Sequence, residues 1–127
     1  MAQPDLIGIV VRDMGASLRF YRLLGLEIPP NLEAEQHVEL TLPNGFRIAW
    51  DGLEMMKSLY PDWGEPAGQR MILAFKCESP AEVDRLYQRV LQSGHQGYKA
   101  PWDAFWGQRY AVIVDPDGNL VDLFAGL

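Results

Sequence analysis

QRYAVIVDPDGNLVDLF, residues 108–124, decides the fold. Two runs rich in β-branched and apolar residues flank Asp115-Pro116-Asp117-Gly118-Asn119, a turn sequence, so the stretch reads as a β-hairpin. HVELTLPNGFRIAW, residues 37–50, repeats the plan around Pro43-Asn44-Gly45. Each hairpin stands downstream of an apolar strand and an amphipathic helix. DLIGIVV, residues 5–11, is the first such strand, and MILAFKC, residues 71–77, the second. The first helix is expected over about 14–24: Leu18, Phe20, Tyr21 and Leu24 recur at helical spacing, Asp13 can cap it and Gly25 can end it. The second opens at Ser79-Pro80, carries Val83, Leu86, Tyr87, Val90 and Leu91 on one face, and stops at Gly94. A short helix is expected within 51–63, and WGEPAGQ, residues 63–69, reads as a linker.

The chain therefore repeats itself at a period of roughly 65–70 residues, too long for a solenoid unit. The expected fold is α+β, with two βαβββ modules in tandem in one domain over 1–127. Module 1 covers about 1–62 and module 2 about 70–127. Each small sheet buries one face on its helix, and the other face needs a partner, either the second module or another subunit.

The chain has 127 residues, 48% of them hydrophobic and 22% charged, as in an ordinary globular domain. No apolar run is long enough to span a membrane, and the N-terminus lacks the basic start and cleavage site of a signal peptide, so a cytoplasmic location is expected. Seventeen Asp+Glu against eleven Lys+Arg give a net charge of −6, which disfavours nucleic acid and anionic membranes as partners. Cys77, the single cysteine, sits in an apolar strand pattern and reads as a buried, inert thiol. No nucleophile elbow, P-loop or dinucleotide fingerprint is present, and no catalytic residue is assigned. His95, in the polar loop QSGHQG, is expected to be solvated.

VVRDMGASLRFYRLLGLEIP, residues 10–29, and WGQRYAVIVDPDGNLVDLF, residues 106–124, together resemble the vicinal oxygen chelate superfamily, which includes glyoxalase I, ring-cleaving dioxygenases and bleomycin-resistance proteins. The Trp-Gly-x-Arg strand leading to Asp-Pro-Asp-Gly-Asn is similar to its antibiotic-resistance branch. RIAWD, YPDW and PWDAFWGQRYA resemble the mitomycin-resistance type within that branch. The resemblance implies a homodimer, in which modules can be exchanged between subunits. It also implies drug binding in a crevice between them without chemistry. Enzymes of the superfamily hold a divalent metal with four His/Glu side chains on the first and last strands of the two modules. The matching positions here are Leu6, Ala49, Ile72 and Asp122, of which only Asp122 can ligate a cation. No metal and no cofactor are therefore expected.

What remains is an apolar cleft with a few polar groups, the usual make-up of a small-molecule site. PWDAFWGQRY, residues 101–110, places Trp102, Phe105 and Trp106 together at a loop-to-strand junction. Such flat faces can stack on a planar ligand for about 0.5–1.5 kcal/mol beyond area burial, or simply cover the end of the sheet. His37 is the candidate second wall, or else an exposed histidine at a strand start. Tyr60 and Trp63 belong to the excursion between modules, as a lid or as core beneath a loop. Gly8, Ala49 and Ala74 leave room for a ligand or for packing between sheets. Arg109 is expected to bond a ligand or to pair with Asp115 or Asp122. Asp122 is expected deep in the cleft without a partner, and Tyr110 follows Trp106, alternating in face with Arg109. The expected partner is a planar aromatic natural product, an antibiotic, bound unchanged. The alternatives are a metal-free enzyme using Asp122 as acid or base, and a carrier for another apolar metabolite.

Overall fold

The computed structural model describes all 127 residues. The element order is β1 (Ile7–Val11), α1 (Met14–Leu23), β2 (His37–Thr41), β3 (Arg47–Gly52), α2 (Leu53–Leu59), β4 (Leu73–Lys76), α3 (Pro80–Gln92), β5 (Gln96–Ala104), β6 (Gln108–Val114) and β7 (Leu120–Gly126). The α+β class follows, with three helices and two mixed sheets. The chain divides into two compact units: Met1–Leu18 with Glu27–Pro66, and Arg19–Leu26 with Ala67–Leu127. The second half of α1 thus clusters with the second unit.

In the first unit, the sheet order is β1-β3-β2. β1 runs parallel to β3, with Gly8 opposite Ala49, and β2 runs antiparallel to β3, with His37 opposite Asp51. The hairpin closes at Pro43-Asn44-Gly45, where Gly45 takes φ 88°, a left-handed conformation that costs glycine little. Leu42 N–H donates to Phe46 O at 2.8 Å across the turn. Asp13 caps α1 as expected, its Oδ1 accepting Ala16 N–H at 3.0 Å. This unit has three strands where its counterpart has four, because residues 29–36, PPNLEAEQ, carry two prolines and no apolar alternation.

The second unit carries the order β4-β7-β6-β5. β4 is parallel to β7, while β6 is antiparallel to both β7 and β5. Ser79 caps α3 by accepting Glu82 N–H at 3.1 Å, with Pro80 in the first turn. Val83, Tyr87 and Val90 of α3 are buried, as are Ala111, Ile113, Val121, Leu123 and Ala125 on alternate positions of β6 and β7. α3 covers that face. Strand alternation sends Tyr110, Val112, Asp122 and Phe124 to the other face. A Cβ on Gly97 would lie 2.1 Å from the Tyr87 hydroxyl oxygen, so this close approach of β5 to α3 requires glycine. The β5 register shifts between Gly97 and Lys99 and again before Trp102.

The Asp-Pro-Asp-Gly-Asn turn is held by one buried carboxylate. Asp115 Oδ1 accepts the backbone N–H groups of Asp117 and Asn119, each at 2.9 Å. Its Oδ2 accepts Asn119 Nδ2 and the Tyr21 hydroxyl, each at 2.8 Å. Burial, then the charge and hydrogen bond of Asp115, hold the Tyr21 hydroxyl protonated. Cys77 is buried, and burial followed by the nearby Glu82 pushes its thiol up to about 11, as befits an inert cysteine. His95 departs from the solvated position expected of it: its ring meets Phe20 edge to face, centroids 5.0 Å apart. No helix is long and apolar enough to cross a membrane.

Replacing Asp115 by Ala strands the Tyr21 hydroxyl and two turn N–H groups, and is expected to cost about 3 kcal/mol, whereas Tyr21→Phe removes one bond and costs about 1 kcal/mol. Urea unfolding of both variants measures this order. Equal or negligible losses would show that the turn does not depend on the carboxylate.

Candidate functional site

The open face of the four-stranded sheet carries an aromatic cluster. Trp102 on β5, Tyr110 on β6 and Phe124 on β7 are laterally paired. Tyr110 and Phe124 stack at 6.1 Å, and Trp102 meets Tyr110 at 5.5 Å. Trp106, in the β5–β6 turn, stands edge to face with Trp102, Tyr110 and Phe105 at 6.1, 5.2 and 5.1 Å. Its indole Nε1 donates to Gln108 Oε1 at 2.7 Å, which fixes the ring's orientation while leaving the side chain 49% exposed. Phe105 projects at the tip of the turn, 96% exposed. Lone apolar residues on a surface are ordinary, whereas five contiguous aromatic rings, with Phe105 and Trp106 exposed and Trp102, Tyr110 and Phe124 half-buried, are a feature of binding surfaces.

Asp122 lies on the same face, 7% exposed. It is not unpaired as expected: the Tyr110 hydroxyl donates to its Oδ2 at 2.5 Å. Burial first, then that bond and the carboxylate's charge, push Tyr110 up to about 12, so at neutral pH it remains the donor. Arg109, one residue away, points to the opposite face. It pairs with Asp84 of α3 through Nε at 2.9 Å and with Asp103 through Nη1 at 3.2 Å, and not with Asp115 or Asp122. The hydrogen bond to Asp84 leads the causes that raise its pKa. It braces the back of the sheet and is withdrawn from the candidate site.

His37, the expected second wall, lies in the first unit on the face of β3 that bears Ala49. Its Nδ1 bonds Asp51 and its Nε2 meets Glu39 Oε1 at 2.9 Å. Arg47 continues the chain of charges to Glu39 and Asp5. The Asp51 bond, then the Glu39 bond, raise the His37 pKa, and His37 followed by Arg47 holds Glu39 below the usual carboxylate range. The imidazole is held by carboxylates at both nitrogens and stays exposed at the start of β2, and such bonds lie in the plane of the ring. Tyr60 and Trp63, also of the first unit, contact each other at 5.9 Å and are both exposed.

Of the residues expected in the site, Trp102, Phe105, Trp106, Tyr110 and Asp122 come together on one sheet. Trp102 lies inside strand β5 rather than at a loop junction. Sequence reading missed Gln108, which orients Trp106, and two lysines of this face. Lys99 Nζ stands 4.1 Å from the centroid of the Trp102 ring, a cation–π contact. Lys76 is opposite Phe124. The signal for Lys76 was the break it makes in the apolar run Leu73-Ala74-Phe75.

The metal that the resemblance implies does not fit these residues. Leu6 and Ile72 precede the first residues of β1 and β4 and are both exposed, while Gly8 and Ala74 take the places opposite Ala49 and Asp122. Three of the four positions offer no donor atom, and the fourth is engaged by Tyr110. Nowhere do three His, Cys, Asp or Glu side chains converge to hold a cation.

The His37 clamp has a pH signature. Its folded pKa is raised above the value of about 6.5 for free imidazole, so its contribution to stability is complete below that pH and is lost as pH rises through the folded pKa. The stability difference between wild type and His37→Gln in urea should therefore shrink on going from acid to alkaline pH. An NMR titration of His37 at or below the free value would contradict the clamp.

Residues 3–123 match the sequence profile of the Glyoxalase/Bleomycin resistance protein/Dioxygenase superfamily. The fold is similar to that of a glyoxalase/bleomycin resistance protein/dioxygenase family enzyme from Burkholderia phytofirmans, with TM-score 0.83 and 22% identity over 97% of this chain and 98% of that one. It is also similar to a glyoxalase/bleomycin resistance protein/dioxygenase from Nocardioides, with TM-score 0.75 and 25% identity over 100% and 86%. A protein of unknown function from Agrobacterium tumefaciens gives TM-score 0.72 and 26% identity over 100% and 96%. No curated protein matches the chain. With its sequence profile spanning nearly all of the chain and its fold shared with these structures, the chain belongs to the glyoxalase/bleomycin resistance protein/dioxygenase superfamily.

Proposed function

We propose that this chain is a binding protein that sequesters a planar aromatic natural product, an antibiotic, and releases it unchanged. The observation that carries this reading is the contiguous group of Trp102, Trp106, Tyr110 and Phe124 on one sheet face, with Trp106 exposed and the others half-buried. Aromatic rings attract planar ligands through dispersion and quadrupole terms that hardly depend on the ligand's substituents. The lack of a donor atom in three of the four metal-position side chains, and the resemblance to the resistance branch, favour sequestration of the mitomycin-resistance kind over metal-assisted chemistry. In this reading the protein works in the cytoplasm as a homodimer with two equivalent ligand sites.

A second reading rests on one pair. A carboxylate 7% exposed, bonded to a tyrosine that stays protonated, is an arrangement that can move a proton on a bound ligand. Recovery of the ligand by mass spectrometry after incubation separates the two: unaltered mass supports sequestration, and a changed mass supports a metal-free enzyme.

Trp106→Ala should weaken binding of a planar antibiotic about tenfold, or 1.4 kcal/mol. Quenching of tryptophan fluorescence on titration measures it, with circular dichroism confirming the fold. Unchanged affinity in a folded variant would remove Trp106 from the site.

A further inference from the structure

The chain has three lysines and a net charge of −6, yet two of the three, Lys76 and Lys99, sit on the aromatic face. Strand pairing sets them at its edges. Lys76 of β4 lies opposite Phe124, Phe124 opposite Tyr110, and Tyr110 opposite Trp102, in one row across four strands. The next row runs Ala74, Asp122, Val112, Lys99. Three strand spacings make the row from Lys76 to Trp102 about 14 Å long, enough for three fused rings and a substituent.

The charges on this face are not balanced within the protein. Arg12, Arg47, Lys57 and Arg109 all reach carboxylates. Lys76 pairs with none, and Lys99 has only the Trp102 ring beneath it. The single carboxylate of the aromatic rows, Asp122, is recessed and occupied by the Tyr110 hydroxyl. A ligand on the rings would therefore meet ammonium groups at both ends of an apolar floor.

We infer that the ligand class is a planar aromatic anion, such as a fused-ring carboxylate or phenolate, whose charge is selected by Lys76 and Lys99. This rests on the stacking reading above and adds the sign of the ligand's charge. A cationic planar compound is rejected by the same two groups.

Two matched probes test it: anthraquinone-2-carboxylate and the neutral anthraquinone-2-carboxamide, titrated into the full-length protein at low ionic strength with tryptophan fluorescence as readout. The carboxylate should bind at least about fivefold tighter, the scale set by one exposed ion pair, and added salt should shrink the gap. In the Lys76→Gln, Lys99→Gln double variant the ratio of the two affinities should fall to near one. Equal affinities in the wild type would overturn the inference while leaving stacking intact. A ratio that survives in the double variant would also overturn it, because the selecting charge would lie elsewhere. Quenching by neither probe would overturn the stacking reading and this inference with it.

Discussion

The Asp115 carboxylate sets the register of β6 against β7, and the candidate site depends on that register. Four hydrogen bonds, from two turn N–H groups, Asn119 and Tyr21, leave the turn one conformation. The pairing of Tyr110 with Phe124 and of Val112 with Asp122 follows from it. A slip of one residue would turn the β7 side chains over, sending Phe124 and Asp122 under α3 and lifting Leu123 and Val121 into solvent. A motif that reads as plain turn chemistry is thus what brings an aromatic row and a carboxylate onto one face. Because Tyr21 belongs to α1, the same carboxylate also ties that helix's second half to the hairpin.

The two faces of the sheet divide the labour by charge as well as by hydrophobicity. Behind it, Arg109 is spent on Asp84 and Asp103, and Ala111, Ile113, Val121 and Leu123 form the packed layer. In front, Asp122 is held by a neutral donor, so its negative charge is dispersed through a short hydrogen bond rather than cancelled by a cation. The cations of that face remain at its edges. On the proposed reading, such an arrangement would hold a ligand by contact area and orient it by charge.

The hairpins, the caps of α1 and α3 and the α+β class were legible because each rests on local chemistry: Pro-Asn-Gly and Pro-Asp-Gly turns, Asp13, and Ser79-Pro80. β5 is not legible as a strand. QGYKAPWDA has a proline, a glycine and no apolar alternation, features tolerated because β5 is an edge strand with register shifts. Trp102 therefore reads as a residue of a loop-to-strand junction. The aromatic members of the site could be named from their crowding in 102–110, but their polar partners could not. Arg109 and Asp122 lie on opposite faces, and Tyr110 reaches Asp122 across twelve residues, facts that only register supplies. The partner of His37 is hidden for the same reason: Asp51 stands opposite it in β3, a pairing that only register supplies.

The most direct measurement is an NMR titration following the indole N–H signals of the four tryptophans, Trp50, Trp63, Trp102 and Trp106, as a planar aromatic compound is added. Stacking on the sheet face predicts large, saturable ring-current shifts at Trp102 and Trp106, with the fully buried Trp50 unmoved. Saturable binding that leaves Trp102 and Trp106 in place would contradict the account and move the site away from the four-stranded sheet.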